Sequence, residues 1–223
     1  CLELERNLPF IYENGAGFHN IQEIISDVSR GSSIISKCSI DVGRIWEIWC
    51  QHIPEELKTL SLFAHEMSMR QKIDLFGLTG QKLENALNRK YSLCFKFLGN
   101  KFQLRRLNHL LNENNLITHQ GGRLMTLSGK HDKADYCSFI RSEQSIKGFE
   151  TFLVGVGDSE NDIKMLEVCD IACIIPRPHK NLLSLSIPRE RTIVSGTIAP
   201  LGWLEAVRKA LGVKHIEEIA RYG

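Results

Sequence analysis

The hydrophobic positions change their rhythm along the chain, and that change predicts the architecture. Leu8 to Tyr12 is a short apolar run, read as a strand that buries Phe10 and Ile11. The stretch Glu13-Asn14-Gly15-Ala16-Gly17 follows as a tight turn, in which Asn tolerates a positive φ. Ile21, Ile24, Ile25 and Val28 fall at helical spacing until Gly31-Ser32-Ser33 interrupts them. Ile45, Ile48 and Trp49 belong to a helix or a strand that the pattern leaves open. Pro54 starts a helical pattern with Leu57, Leu60 and Leu62 or Phe63 on one side. Ser68 reads as an N-cap for a helix carrying Ile73 and Phe76 and closed by Gly77. Thr79 opens another, with Leu83, Ala86 and Leu87 as its apolar face. Tyr91 to Leu98 alternates like a half-exposed strand, and a helix with Phe102, Leu104, Leu107 and Leu111 follows. Leu116-Ile117-Thr118 and Arg123 to Leu127 flank Gly121-Gly122 as a hairpin.

From Asp132 the order becomes helix, strand, helix, strand. Ala134 to Ile146, Phe152 to Val156, Asp162 to Val168 and Ile171 to Ile175 supply these in turn. Thr192-Ile193-Val194 adds a further strand. Pro200 begins a helix through Leu211, and a short helix with His215, Ile216 and Ile219 ends the chain. Such alternation marks a parallel sheet flanked by helices. The stretch from Pro54 to Leu127 reads instead as an α+β unit with an antiparallel sheet. By its apolar character the first strand, Pro9 to Tyr12, is expected in the parallel sheet, which makes the α+β unit an insertion. The expected organisation is residues 1–20 and 128–223 as core and 21–127 as inserted cap.

Composition alters this picture little. Of 223 residues, 43% are apolar and 24% charged, which is ordinary for a globular protein. A net charge of +2 without a dense basic tract gives no indication of a nucleic-acid or membrane partner. The seven cysteines contain no CxxC pair, so they read as buried thiols of a cytoplasmic protein, with Cys169 and Cys173 as core residues.

Candidate chemistry concentrates in TFLVGVGDSENDIKML, residues 151–166. A buried strand ends at Gly157, and Asp158, Asn161 and Asp162 crowd the turn into the next helix. Carboxyl ends of strands are where open α/β sheets bind ligands. Two carboxylates and an amide suit a hard cation such as magnesium, which also keeps water and substrate oxygens as ligands. The alternative is that Asp158 or Ser159 caps the helix. A second candidate runs from Gly121-Gly122-Arg123 to Lys133. The glycines permit close approach of a ligand, Arg123 suits a carboxylate or phosphate, and Lys133 stands near a helix N-terminus. A hairpin turn, a surface arginine and a solvated lysine are the plainer readings. His119 and His131 flank this segment and are read as surface-loop residues more readily than as substrate contacts.

GDSENDIKML at 157–166 resembles the fourth motif of the haloacid dehalogenase (HAD) superfamily, with Lys133 where that superfamily keeps its third-motif lysine. Four further blocks resemble one family, the mannosyl-3-phosphoglycerate phosphatases. They are LPFIYENGAGF at 8–18, MSMRQKIDLFGLTGQKLENALNRKYS at 67–92, GGRLMTLSGKHDK at 121–133 and APLGWLEAV at 199–207. The blocks keep the family's order and span nearly the whole chain. The resemblance implies an α/β fold, a HAD-like Rossmannoid parallel-sheet core with its first βαβ unit missing and an inserted α+β cap. It implies Mg2+-dependent hydrolysis of mannosyl-3-phosphoglycerate, a small phosphorylated sugar-glycerate, to the compatible solute mannosylglycerate. In such enzymes an aspartate attacks phosphorus and water then hydrolyses the aspartyl-phosphate. Carried over to matching positions, Asp158 ligates magnesium, with Asn161 and Asp162 supporting it directly or through water. Lys133 is the catalytic lysine that steadies the phosphate, and Arg123, Gly122 and Asn14 meet the substrate.

The departures are equally specific. No DxD occurs in the chain, and the second-motif Ser or Thr has no counterpart upstream of Leu8. A βαβ unit needs roughly thirty residues or more, so it does not fit there. Leu124, Met125 and Thr126 replace the family's aromatic-His pair, and Leu93 replaces an acidic residue. With a first residue of Cys1 rather than Met, a fragment is expected, inactive by itself. Another sugar-phosphate phosphatase of the superfamily and a binding module without turnover remain the alternatives.

Overall fold

The computed structural model describes residues 8–25, 28–121 and 124–222, with side chains through residue 212. The chain divides into two compact units, residues 1–23 with 27–131, and residues 24–26 with 132–223.

The first unit begins with a small antiparallel sheet of β1 (Phe10–Tyr12), β2 (Gly17–His19) and β3 (Ser33–Ile35). Phe10 pairs with His19 and Tyr12 with Gly17. The first strand is thus not in the parallel sheet. The physical reason is the turn between β1 and β2. Glu13, Asn14 and Gly15 all take positive φ, 46°, 59° and 110°, and send the chain straight back on itself.

Helix α1 (Val42–His52) settles the segment that periodicity left open. Asp41 caps it by accepting the Arg44 N–H at 3.0 Å, and Ile45, Ile48 and Trp49 form its buried face. After α2 (Glu55–Lys58) the expected helix gives way to strand β4 (Ser61–Phe63). The Ser61 hydroxyl donates to the Leu57 carbonyl at 2.9 Å, and Leu60 O accepts the Leu98 N–H at 2.7 Å. Those bonds replace a further helical turn. Helix α3 (Met69–Phe76) has the expected cap, a reciprocal Ser68–Gln71 box, and stops at Gly77 with φ 67°. Then come α4 (Gly80–Leu87), β5 (Ser92–Phe97), α5 (Lys101–Glu113), β6 (Leu116–Gln120) and β7 (Met125–Gly129). The antiparallel sheet runs β4-β5-β7-β6, with β6 and β7 as the expected hairpin. Its buried face packs Phe63, Phe95, Leu116 and Leu127 against Trp49 from α1 and Leu107 and Leu111 from α5. Phe63 stacks on Phe95 at 5.2 Å and meets Trp49 edge-on at 4.9 Å. Each such side chain contributes about 1.5–3 kcal/mol by burial.

The second unit carries the parallel sheet. Helix α6 (Asp135–Ile146) precedes β8 (Val154–Gly157), α7 (Ile163–Val168), β9 (Ile171–Ile174), β10 (Thr192–Val194) and α8 (Leu201–Tyr222). The strand order is β10-β9-β8, all parallel. All residues of β9 are buried, which is why that strand is an unbroken apolar run rather than an alternating one. Ala206 and Ala210 of α8 pack on Ile171, Cys173 and Ile175 without remaining exposure. Their small size lets the helix lie close to the sheet. Helix α8 is continuous where two shorter helices were expected. The parallel register fixes where strand β8 ends: Gly157 is paired with Ile174, and the acidic turn starts at the next residue.

Candidate phosphate and metal site

Gly157 is the first requirement of the turn. A Cβ at this position would lie 2.5 Å from Asp162 Cβ and 2.9 Å from its Cγ. Only glycine leaves room for the Asp162 side chain to fold back under the strand end. Its carboxylate then serves the turn from within. Oδ2 accepts the N–H of Asp158 and of Ser159, both at 3.1 Å, and the Ser159 hydroxyl lies 3.0 Å away. The Asp162 N–H returns a bond to Ser159 O at 2.8 Å, so residues 159 and 162 cap one another across a 3-10 turn, Glu160–Asp162. The helix-cap function therefore falls to Asp162 and Ser159, and the side chain of Asp158 takes no part in it.

Lys133 completes the inner side of the site. Its Nζ lies 2.6 Å from Asp162 Oδ1, with the two side chains only 17% and 11% exposed. Burial raises the Asp162 carboxyl, but the Lys133 ammonium and the Asp158 and Ser159 donors outweigh it and hold the pKa below the ordinary 3.8. Lys133 is itself positioned by Asp132, a buried residue that sequence reasoning missed. Asp132 Oδ1 accepts the Ala134 N–H at 3.0 Å, and the Asp132 N–H donates to Asp135 Oδ2 at 3.1 Å. Its Oδ2 lies 3.5 Å from Lys164 Nζ of α7. The signal available was the D-K-A-D spacing at the start of α6, in which two aspartates exchange backbone bonds much as a capping box does.

On the outer side stands Asp158, exposed, with no hydrogen bond or ion pair to its carboxylate among the described residues. Asn161 Oδ1 accepts from the Ser159 hydroxyl at 2.6 Å. The turn thus holds one carboxylate directed inward and engaged and another free at the carboxyl end of β8. No group of three or more His, Cys, Asp or Glu with the geometry of a metal cage occurs among the described residues. The donor set instead suits an ion that accepts few protein ligands.

Lys133, Asp158, Asn161 and Asp162 are therefore brought together. Asn14 lies in the other unit, where its Nδ2 is 3.4 Å from Thr126 Oγ1. Gly122 and Arg123 lie outside the described residues. His131 is no surface-loop residue: it has no exposure, and its ring nitrogens lie 3.0 Å from Glu13 O and 3.2 Å from Ser39 Oγ. Glu13, read as plain turn chemistry, also fastens the hairpin to β5. Its carboxylate accepts the N–H groups of Lys90 and Tyr91, both at 2.9 Å, and the Ser92 hydroxyl at 2.8 Å. The same unit has an open cleft of about 670 Å³ lined by Phe10, Tyr12, His19, Tyr91, Arg89 and Lys90 among others.

Comparison with known proteins first defines the class. The chain superimposes on a haloacid dehalogenase-like hydrolase from B. subtilis with a TM-score of 0.50 and 15% identity, covering 79% of this chain and 72% of that one. A phosphatase of the HAD superfamily from Bacteroides thetaiotaomicron gives 0.50 and 16%, over 81% and 68% of the two chains. Thermoplasma acidophilum 0175 gives 0.53 and 16%, over 97% and 75%. The fold is HAD-like, a parallel-sheet core with a cap.

Sequence comparison narrows the class. The chain is 27% identical over 214 residues to a glucosyl-3-phosphoglycerate/mannosyl-3-phosphoglycerate phosphatase of Persephonella marina, covering 94% of this chain and 78% of the relative. It is 28% identical over 180 residues to a mannosyl-3-phosphoglycerate phosphatase of Pyrococcus horikoshii, covering 78% and 70%. In sequence the chain is thus similar to mannosyl-3-phosphoglycerate phosphatases. No family model matches the sequence. Among the described residues, no helix is long and apolar enough to cross a membrane.

Proposed function

We propose that these residues form the metal- and phosphate-binding half of a magnesium-dependent phosphatase acting on a glycosyl-3-phosphoglycerate. The observation that carries this reading is the Lys133–Asp162 pair at 2.6 Å lying beneath a free, exposed Asp158. The donors fit magnesium. The ion is hard, takes one or two carboxylates and keeps its other positions for water and phosphate oxygens. Asp158 is the carboxylate available to it, and Asn161 and Asp162 support that ligand through the turn. Magnesium when bound supplies positive charge against the phosphoryl oxygens. Lys133 supplies the other positive charge, and Asp162 holds its ammonium in place. Gly122, Arg123 and Asn14 are assigned to the glycerate or phosphate side of the substrate. Residues 21–127 act as the cap that selects the sugar.

Turnover through an aspartyl-phosphate needs an attacking aspartate, and the DxD arrangement that supplies it in this superfamily does not occur in the 223 residues. That observation favours a second statement: these residues bind the metal and phosphate without turning over by themselves. Isothermal titration of the purified chain with MgCl2, with and without inorganic phosphate, tests the first part. Saturable binding lost in Asp158→Asn is expected, and binding that survives this substitution, or no binding, overturns the metal site. Phosphate release from mannosyl- and glucosyl-3-phosphoglycerate, with magnesium or EDTA, tests the second. Magnesium-dependent release by this chain alone overturns the statement that its nucleophile is absent. Release from neither substrate by a protein that does hydrolyse other sugar phosphates would move the assignment to another phosphatase of the superfamily.

A further inference from the structure

The small antiparallel sheet of the first unit has an aromatic face outside the core. Register places Phe10 opposite His19, with Ser33 beyond it, and Tyr12 opposite Gly17, with Ile35 beyond it, so these residues share one face of β1-β2-β3. Ile11, Phe18 and Ile34 take the other face, where Phe18 is only 3% exposed. Phe10, Tyr12 and His19 are half-buried and stand apart from the core cluster around Phe63 and Phe95. They form one wall of the open cleft of about 670 Å³. Gly17 permits this wall: a Cβ there would collide with the ring of Tyr12, which lies across β2. The facing wall is drawn from the segment between Asn85 and Tyr91. The rings run on from one wall to the other. Phe10 meets His19 edge-on at 5.2 Å and Tyr12 at 6.3 Å, and Tyr12 lies 6.3 Å from Tyr91.

The second wall also carries charge. Arg89 donates through Nε to Ala86 O at 3.0 Å and through Nη1 to Ser92 Oγ at 3.2 Å, which leaves its Nη2 without a partner among the described residues. The Lys90 ammonium has neither a hydrogen bond nor an ion pair among them. Glu13 is the one carboxylate in the lining, and it is committed to the Lys90 and Tyr91 N–H groups and the Ser92 hydroxyl. It holds the wall in place, and two cationic side chains outnumber it.

We propose that this cleft binds a flat-ring anion of the nucleotide kind, its heteroaromatic ring against Phe10, Tyr12 and Tyr91 and its phosphate at Lys90 and Arg89 Nη2. Clefts of roughly 300–1,000 Å³ hold ligands of this size. Aromatic side chains stack any planar base, and guanidinium and ammonium groups receive phosphate. A ring alone would leave both cations unanswered, and a phosphate alone would leave the aromatic row in water. The cleft lies wholly within the first unit, so the assignment does not rest on the magnesium and phosphate site of the second.

The test is titration of the wild-type chain in EDTA with adenosine 5′-monophosphate, adenosine and ribose 5-phosphate, followed by calorimetry and by amide 1H–15N shifts. Saturable binding of the monophosphate is expected, with shifts at residues 10–12, 17–19 and 88–92. Ribose 5-phosphate, which lacks the ring, binds at least about fivefold more weakly. Adenosine, which lacks the phosphate, also binds more weakly, and added KCl narrows its gap from the monophosphate. Lys90→Gln brings the monophosphate toward adenosine, and Tyr12→Ala brings it toward ribose 5-phosphate. Asp158→Asn leaves all three affinities unchanged, which separates this cleft from the proposed magnesium site. No saturable binding of the monophosphate, equal binding of it and either fragment, or shifts confined to residues 157–162 overturns the proposal. The probe series uses the wild-type chain, so it decides the matter even where a variant fails to fold.

Discussion

Removing the Asp162 carboxylate separates the two tasks that an aspartate can have in this turn. In Asp162→Ala, the N–H groups of Asp158 and Ser159 lose their acceptor, and Lys133 is left without its partner inside a side-chain environment only 17% exposed. Hydrogen bonds to charged groups contribute about 1.5–3 kcal/mol each, and breaking one partner of an enclosed ion pair costs about 3–5 kcal/mol. These terms overlap and the site is not fully dry, so the expected loss is about 3–5 kcal/mol in total. Lys133→Met costs less, about 1–2 kcal/mol, because the carboxylate it leaves behind keeps its backbone donors. The double substitution costs no more than Asp162→Ala, since the lone ammonium is gone. A carboxylate that served chiefly as a metal ligand would behave otherwise. Without metal, removing it would relieve repulsion with Asp158 and cost less than about 1 kcal/mol.

The assay is urea unfolding in EDTA, followed by far-UV circular dichroism, for the wild type, both single variants and the double. Amide exchange at Asp158 and Ser159 gives a local reading, and it accelerates in Asp162→Ala and in the double variant but not in Lys133→Met. The reasoning is refuted if Asp162→Ala lies within about 1 kcal/mol of wild type in EDTA, or if Lys133→Met costs as much.

Three further outcomes follow from the same geometry. The folded pKa of Asp162 is depressed, so its contribution is fully present above the unfolded value near 3.8 and is lost as pH falls through the lower folded value. The stability gap between wild type and Asp162→Ala therefore narrows on acidification below that range, and a gap independent of pH refutes the linkage. Glu205, held down by Lys209 at 2.6 Å and then by the Ser195 hydroxyl at 2.9 Å and the Gly196 N–H, has its pKa lowered to about 2. Its carboxyl 13C shift should titrate near that value and move up in Lys209→Ala. Glu13→Ala removes the acceptor of the Lys90 and Tyr91 N–H groups and of the Ser92 hydroxyl, and should cost about 1.5–3 kcal/mol in urea unfolding. Glu13→Gln should cost less, and equal losses for the two would show that the charge, rather than the acceptors, holds the hairpin.

What the chain's pattern revealed was local. The Ser68–Gln71 cap, the β6–β7 hairpin and the alternation after Asp132 rest on residues within a few positions of one another, so sequence carries them directly. What it hid was long-range. His131 looked like a loop residue because its neighbours are glycine, lysine and aspartate. It is buried by partners 118 and 92 positions away, Glu13 and Ser39. Strand β4 was invisible because three residues are too few to distinguish a period of 2 from one of 3.6, and what decides it is pairing with β5. The reversal of β1 is legible in Glu13-Asn14-Gly15, where turn chemistry prevails over the apolar character of the strand before it.

The acidic turn joins these two kinds of information. A strand buried in a parallel sheet that passes directly into a helix leaves backbone N–H groups at its exit, and enclosed donors must be paired. One aspartate therefore has to face inward. Only the residue that can reach back across the turn while touching a position without a Cβ can do so, and here that is Asp162 against Gly157. Once Asp162 is committed, the other aspartate of the Gly-Asp-x-x-x-Asp spacing is excluded from the cap and faces outward. Capping, which competes with the proposed cation binding for these residues when read in one dimension, falls to Asp162 in three and leaves the Asp158 carboxylate available to the proposed cation. The same division is why Asp158→Asn and Asp162→Ala should fail differently, the first losing magnesium while keeping its stability and the second losing the turn that presents Asp158.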